Sequence, residues 1–316
     1  MKKSIFIQIP CYRDIELNKT IQSAINNASG DYSLHFGIHN CYLTEQEAEI
    51  VYPTKELAKL SAIHSIAPEN MGAQKSRYLA NTFFDNEDFY LQIDAHMRFA
   101  PKWDTKLVDE LNYFMDNGID NPLLTGILAN YMYETSNGIT KEIYTDTQSM
   151  PPIGYYFLDK DEMFKKYFLP NQQIFAHTNR YCTFSASVSA AFIFASGKFG
   201  LIEPHPELNF WNEEPITSMR AFTHGFDIVS SRLHVLWHLP SLDSRGFNIR
   251  NRANSDFPMI WADHVDGESK NLFKNIITSN KIGRFELGSA RSLEDWSTFS
   301  GLNYKTGEIN SPPWLV

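Results

Sequence analysis

Asp94 and His96 are the two residues of this 316-residue sequence whose types and spacing point most directly to chemistry. They close the stretch Phe89-Tyr90-Leu91-Gln92-Ile93-Asp94-Ala95-His96-Met97-Arg98-Phe99, an apolar run that breaks into a carboxylate and an imidazole. Side chains at i and i+2 of extended backbone lie on one face, so a hard oxygen ligand and a borderline nitrogen ligand can converge on one divalent cation. Strands of parallel sheets read as apolar runs, and ligands of open α/β folds sit beyond the carboxyl ends of those strands, where this pair would stand. A bound diphosphate could supply further oxygens to the cation. The rival reading is a strand followed by a polar turn, which Asp-x-His in isolation fits as well.

The elements that must position the pair alternate strand and helix. Ser4 to Ile9 reads as a strand, and Leu17, Ile21, Ile25 and Ala28 are spaced for a helix from Ile15 to Ala28. Ser33 to His39 is a second strand. Leu57, Ala58 and Leu60 suggest a helix starting near Thr54, before a short strand from Ala62 to Ala67. Gly72 opens a helix that runs to about Phe84. This order predicts an α/β, Rossmann-like doubly wound sheet. Further on, the pattern predicts a helix from Thr105 to Asp116, a strand from Leu123 to Ala129, and a long polar loop from Tyr133 to Met150 of the kind that serves as a lid or binding insertion. Buried strand follows between Tyr181 and Ala195. Asn212-Glu213-Glu214-Pro215 starts a helix carrying Ile216, Met219 and Phe222, and Asp227 to Leu236 is a strand ending at Trp237-His238. Ser292-Leu293-Glu294-Asp295 has the form of a capping box.

Composition narrows the classes. Hydrophobic content of 43% and charged content of 21% are those of a soluble globular protein, without a run long enough to span a membrane. The apolar stretch before Pro10 is too short for a signal-peptide core. Three scattered cysteines predict neither disulfides nor a thiolate metal site, which fits a cytoplasmic setting. The net charge of -9 argues against a broad nucleic-acid surface. An acidic chain that binds phosphate needs a local cation, which again selects Asp94 and His96.

Five segments together resemble glycosyltransferase family 60, the polypeptide α-N-acetylglucosaminyltransferases, which have the GT-A fold. They are Ile9-Pro10-Cys11-Tyr12-Arg13-Asp14, Gly72-Ala73-Gln74-Lys75-Ser76-Arg77, Gln92 to Phe99, Trp211-Asn212-Glu213-Glu214, and Leu287-Gly288-Ser289-Ala290-Arg291-Ser292-Leu293-Glu294 with Phe299-Ser300-Gly301. The Asp-x-His-Met-Arg-Phe string is the most specific. The resemblance implies a metal-dependent, retaining transfer of N-acetylglucosamine from UDP-GlcNAc to a protein hydroxyl, on hydroxyproline, Ser or Thr, or to a glycan. It implies a catalytic domain over residues 1–245, with a nucleotide-binding half (1–100) and a donor/acceptor half (101–245), and a C-terminal extension over 246–316 packed on it.

The residues have readings of their own. Asp94 and His96, joined by His238 from a later strand end, would make a three-ligand site suited to Mn²⁺ better than Mg²⁺, since imidazole is a poor ligand for the latter; a core histidine beside Trp237 is the alternative for His238. Pro10, Tyr12 and Arg13 follow the first strand, where a uracil ring would stack or accept a bond, unless they form a surface turn. Gly72 allows close backbone approach at a helix start. The resemblance implies that Arg77 contacts the nucleotide, against a solvated helix arginine. Glu213 and Glu214 suit a helix N-terminus on electrostatic grounds alone; by resemblance to the polypeptide N-acetylgalactosaminyltransferases, which carry Trp-Gly-Gly-Glu, Glu214 faces donor sugar and acceptor, and Glu213 beside it is the second catalytic candidate. Arg245, Arg250 and Arg252 could fold over the diphosphate or form a solvated face. Two other classes compete with transfer: a metal-dependent phosphotransferase or hydrolase, which needs more clustered carboxylates, and a silent glycan-binding module. Tyr133 to Met150 matches no motif of the family, which predicts a different acceptor.

Overall fold

In the computed structural model the described residues are 2–51, 58–69, 72–145, 154–158, 164–168, 184–208, 213–240 and 268–303, with 306, 308, 310 and 313. The strands are β1 (Ser4–Tyr12), β2 (Ser33–Tyr42), β3 (Ala58–Ile66), β4 (Phe89–Ile93), β5 (Met97–Phe99), β6 (Pro122–Thr125), β7 (Ala129–Ser136), β8 (Ile139–Tyr144), β9 (Gly154–Leu158), β10 (Phe164–Phe168), β11 (Phe192–Ser196), β12 (Asp227–Ser230) and β13 (Leu236–His238). The helices are α1 (Leu17–Asn27), α2 (Glu45–Ala48), α3 (Ala73–Asn81), α4 (Trp103–Asp116), α5 (Glu213–Thr223), α6 (Glu268–Ser279) and α7 (Leu293–Ser300).

A seven-stranded sheet runs in the order β12-β6-β11-β4-β1-β2-β3. β1 is parallel to both β2 and β4, while β11 is antiparallel to β4 and β6, so the sheet is mixed. β1 is buried on both faces. Ile5, Ile7 and Ile9 join Leu17, Ile21, Ala24 and Ile25 of α1 in one core, and Phe6 faces a second core with Tyr90, Phe199 and Ile216. Burying each such side chain stabilises the fold by roughly 1.5–3 kcal/mol. From β1 the chain steps outward through β2 to β3 and returns to β4 on the other side. The carboxyl ends of β1 and β4 therefore flank the point where strand order reverses, the usual ligand crevice of an open α/β sheet. A smaller sheet, β5-β13-β7-β8, begins just past β4.

Several expectations are corrected. Pro10 and Tyr12 lie within β1, whose pairing with β2 extends to Tyr12 opposite Cys41. Ala58 and Leu60 belong to β3, not to a helix; Thr54 and Leu57 lie outside the described residues. The expected strand from Leu123 to Ala129 is split between β6 and β7, and that from Asp227 to Leu236 between β12 and β13, in each case across two sheets. Up to Tyr144, the polar stretch after Tyr133 is a β-hairpin instead of a loop. Asn137 and Gly138 have φ of 51° and 74° and connect Ser136 to its partner Ile139. Asn-Gly takes two positive φ values at little cost, which fits the twist of a two-residue hairpin turn.

The C-terminal elements share the second core: Phe273, Ile276 and Ile277 of α6 and Leu293 and Trp296 of α7 pack with Met219 and Phe222 of α5. The Leu287 to Arg291 motif closes the end of α5. Gly288 N–H donates to Thr223 Oγ1 (2.9 Å) and Ala290 N–H to Thr223 O (2.9 Å). A Cβ on Gly288 would stand 2.5 Å from Thr223 O, so only glycine fits. The expected capping box forms at α7, with Ser292 and Asp295 bonded reciprocally. Among the described residues no helix is long and apolar enough to cross a membrane.

Two histidines of β2 fasten the edge strand. His35 bonds Ser61 of β3 (3.0 Å) and Glu87, and His39 bonds Ser65 of β3 (3.0 Å) and Ser76 of α3 (2.7 Å). Burial, reinforced by the charges of His64 and Lys75, pushes His39 down from 6.5 to about 4. As pH falls through 6.5 the unfolded chain takes up this proton first. Stability present above 6.5 is therefore lost progressively toward pH 4, by on the order of 3 kcal/mol. Thermal melts from pH 7 to 4.5 should show a steeper fall for the wild-type chain than for His39→Gln; parallel slopes would exclude His39 as the titrating group.

Candidate functional site

Asp94 is the first residue past β4, and Ala95 and His96 turn the chain into β5. Thr20 of α1 holds that turn from below: its hydroxyl donates to Ala95 O (2.6 Å) and accepts from Met97 N–H (2.8 Å). β13 arrives antiparallel to β5, with His238 opposite Met97 and Leu239 N–H bonded to His96 O (3.1 Å). His96 Nε2 and His238 Nε2 thereby come within 2.9 Å, and His238 Nε2 lies 3.4 Å from Asp94 Oδ2. One ligand atom from each residue fits within 4.8 Å of the others. Neighbouring ligands at metal bonds of about 2.1 Å are separated by roughly 3.0–3.5 Å, so these two contacts match a shared cation. The side chains of Asp94, His96 and His238 keep 27%, 12% and 23% exposure, enough for a ligand to reach them.

Partners behind the cluster orient it. Asp14, immediately past β1, takes His96 Nδ1 at 2.8 Å, which directs the Nε2 lone pair toward the other two residues. Burial lowers the basicity of His96, yet the charge and hydrogen bond of Asp14 together with the charges of Asp94 and Glu16 outweigh it and raise its pKa; burial lowers that of His238 despite the bond to Asp94. Burial likewise opposes the ionisation of Asp94, but the hydrogen bond from His238 and the charge of Arg77 hold its carboxyl well below the ordinary range.

Arg77 is not the solvated helix arginine that one sequence-based reading expected. Its guanidinium is buried and engaged by protein groups: Nε by Glu213, Nη1 by Ile93 O (3.2 Å), and Nη2 by Asp94 Oδ1 (2.9 Å) and Ala190 O (2.9 Å). Glu213 is buried as its partner, its carboxyl pushed up by burial against the pull of Arg77. Asp14, Asp94 and Glu213 thus gather near one guanidinium, and the donor set of one carboxylate and two imidazoles fits a divalent cation.

Glu214, partly buried, accepts Ala190 N–H at Oε1 (2.9 Å) on the same side of the site. Gly72 precedes α3 with φ of 112°, a conformation that strains other residues. Arg13, with φ of 51°, is drawn to Glu47 through Nε (2.9 Å) and Nη2 (2.9 Å) on the β2 side of the crevice. Arg245, Arg250, Arg252, Trp211 and Asn212 lie outside the described residues. Sequence reasoning missed the roles of Asp14 and Thr20. Asp14 stood in a quoted motif, whereas nothing marks Thr20 before α1 is seen to pack on β5.

The family model described as Glycosyltransferase (GlcNAc) matches residues 40–246. No curated protein matches the sequence. Among solved structures, one described as GalNAc-T7 with UDP, GalNAc and Mn2+ superposes with a TM-score of 0.56 at 13% identity, over 99% of this chain and 56% of that one. The present chain thus spans just over half the length of that relative. S. aureus TarS 1-349 is a weaker likeness, with a TM-score of 0.42 and 14% identity over 89% of this chain and 70% of that one.

The buried guanidinium makes a clear stability prediction. Arg77→Met would leave Glu213 and Asp94 without their cation and should cost about 3–5 kcal/mol in urea unfolding. Arg77→Met combined with Glu213→Leu should recover part of that loss. A single-variant loss under about 1 kcal/mol would contradict the ion-pair geometry.

Proposed function

The chain belongs to the Glycosyltransferase (GlcNAc) family and is a glycosyltransferase of the GT-A fold, and from that premise we propose metal-dependent transfer of N-acetylglucosamine from UDP-GlcNAc to a hydroxyl acceptor, with retention of configuration. The observation that carries the reading is the convergence of Asp94, His96 and His238 at the carboxyl side of β4, where strand order reverses. These three residues would hold Mn²⁺, or less readily Mg²⁺. A bound cation supplies Lewis-acid stabilisation of the departing diphosphate. The crystallised GalNAc-T7 carries UDP and Mn2+, which supports the same pairing of nucleotide and metal here.

The remaining residues divide the work. Asp14 holds His96 with its Nε2 toward the site, and Arg77 holds Asp94 with Oδ2 toward His238. Tyr12, at the end of β1, is partly buried beside the nucleotide side of the crevice, with Pro10 before it and Gly72 at the start of α3. Arg13 is fixed by Glu47 and would reach a uracil only by leaving it. We assign the donor-sugar contact to Glu214, whose carboxylate is oriented by Ala190 N–H, and leave Glu213 to Arg77. We assign residues 1–245 to the catalytic domain and 246–316 to an extension, of which α6 and α7 share its second core. The acceptor side is the β7–β8 hairpin, whose outward residues Met132, Ile139 and Ile143 are exposed beyond β13. This surface suits a protein or glycan hydroxyl other than the hydroxyproline acceptor of family 60.

Asp94→Asn should abolish Mn²⁺-dependent UDP binding while the protein stays folded, since the amide oxygen can still accept from Arg77. Titration calorimetry with UDP, with and without Mn²⁺, checks this, and wild-type affinity in the variant would sink the metal assignment.

Glu214→Gln should lower turnover about 10²-fold or more with UDP affinity little changed, the scale for one well-placed polar contact. Slow Mn²⁺-dependent hydrolysis of UDP-GlcNAc without acceptor, faster than that of UDP-glucose, is the assay. Equal rates on both donors would remove the N-acetylglucosamine preference.

A further inference from the structure

The geometry points to Glu213 and Arg77 as positioning residues through which the start of α5 sets the affinity of the metal site. The inference rests on the metal reading above and reassigns Glu213 from the reacting groups to their support.

A carboxylate at a strand end turns freely about its last torsion unless one oxygen is anchored. Asp94 Oδ1 is anchored by Arg77 Nη2 at 2.9 Å, which leaves Oδ2 on the side of His238. Arg77 is itself a rigid planar fork, so its orientation is fixed by what grips its far side. That grip is Glu213 on Nε, with Ile93 O and Ala190 O filling the remaining directions. Side-chain exposures of 2% for Arg77 and 5% for Glu213 leave little room for water to replace either partner.

The same helix start acts a second time. Glu214 accepts from Ala190 N–H (2.9 Å), while Ala190 O accepts from Arg77 and from Gln92 Nε2 (2.9 Å). The Ala190 peptide is thus held between α5 and the Arg77 fork. A shift of the first turn of α5 reaches Asp94 by both routes.

Removing the charge of Glu213 acts on the metal in one direction. The fork loses its far anchor, so Asp94 loses orientation. The Arg77 charge, no longer shared with Glu213, also draws more strongly on Asp94 and competes with a cation for it. Outer partners of metal ligands typically matter by about 10–100-fold in affinity.

The test uses the full chain and Mn²⁺ alone, with free Mn²⁺ followed by electron paramagnetic resonance well below the melting temperature of each variant. Glu213→Gln keeps shape and an acceptor oxygen but loses the charge, and should weaken Mn²⁺ by about 10–100-fold while UDP binding in EDTA is unchanged. Arg77→Lys, which keeps a cation but cannot grip both carboxylates in one plane, should move Mn²⁺ affinity the same way and serves if the first variant does not fold. A folded variant with a lower melting temperature but Mn²⁺ affinity within about twofold of wild type would show that the pair only stabilises the fold. Wild-type protein that binds no Mn²⁺ would overturn the metal reading together with this one, whereas wild-type binding with unaltered variants overturns this one alone.

Discussion

The site depends on the partial burial of Asp14, Asp94 and Glu213 around the single guanidinium of Arg77. Charges removed from water cost several kcal/mol each unless paired and hydrogen-bonded. Arg77 meets that requirement for two of the three carboxylates, and His96 takes the third through Nδ1. The arrangement still carries surplus negative charge, and it faces the one opening where Asp94, His96 and His238 remain partly exposed.

The sheet supplies the position at no added conformational cost. β1 and β4 are neighbours with identical direction, so the residues just past their ends, Asp14 and Asp94, are brought together by the ladder that builds the core. Thr20 and the β5–β13 pairing then carry His96 and His238 to the same place. The Asp-x-His-Met-Arg-Phe string divides there. Asp94 and His96 face the cation site, and Arg98 turns the other way, into a buried network with Glu16 (2.5 Å), Glu142 (2.8 Å) and Tyr133 (2.9 Å) that ties the hairpin to α1. One short segment thereby serves the donor chemistry and anchors the opposite wall.

Local sequence was a good guide where period and burial agree. The helices at α1, α4 and α5 follow from apolar spacing, because each buries its periodic residues, the parallel β1, β2 and β4 follow from apolar runs, because they are buried on both faces, and the capping box of α7 follows from its residue types. It misled at β3, an edge strand whose residues are mostly only partly buried, so that Ala58 and Leu60 lacked the alternation of a central strand. It misled again at the hairpin, where inward Tyr131, Tyr133 and Glu142 read as polar because their polar ends meet Arg98 and Glu16 inside the protein; the Asn137-Gly138 turn was the available signal. The convergence of Asp94, His96 and His238 was legible from residue type and strand ends. Arg77 was not, since a helix arginine carries no mark of whether its partners are phosphate oxygens or the carboxylates of its own chain. That distinction depends on Glu213, distant in sequence and brought near only by the packing of α5 on the sheet.

The two walls of the crevice are built to different standards of rigidity. On the sheet side Asp94 and His96 each have an outer partner, Arg77 of α3 and Asp14 past the end of β1, and Glu213 of α5 holds Arg77 in turn. The hairpin on the other side is gripped chiefly near its base, by Arg98 and Lys19 on Tyr133 and by Arg98 on Glu142, while Glu134 to Lys141 stand exposed. Substitutions at that tip change the surface offered to an acceptor without touching Asp14, Thr20, Arg77 or Glu213. Under the proposed function donor chemistry and acceptor choice would be separable in this fold: the first would rest on charges held by core elements, and the second on a ribbon fastened near its base.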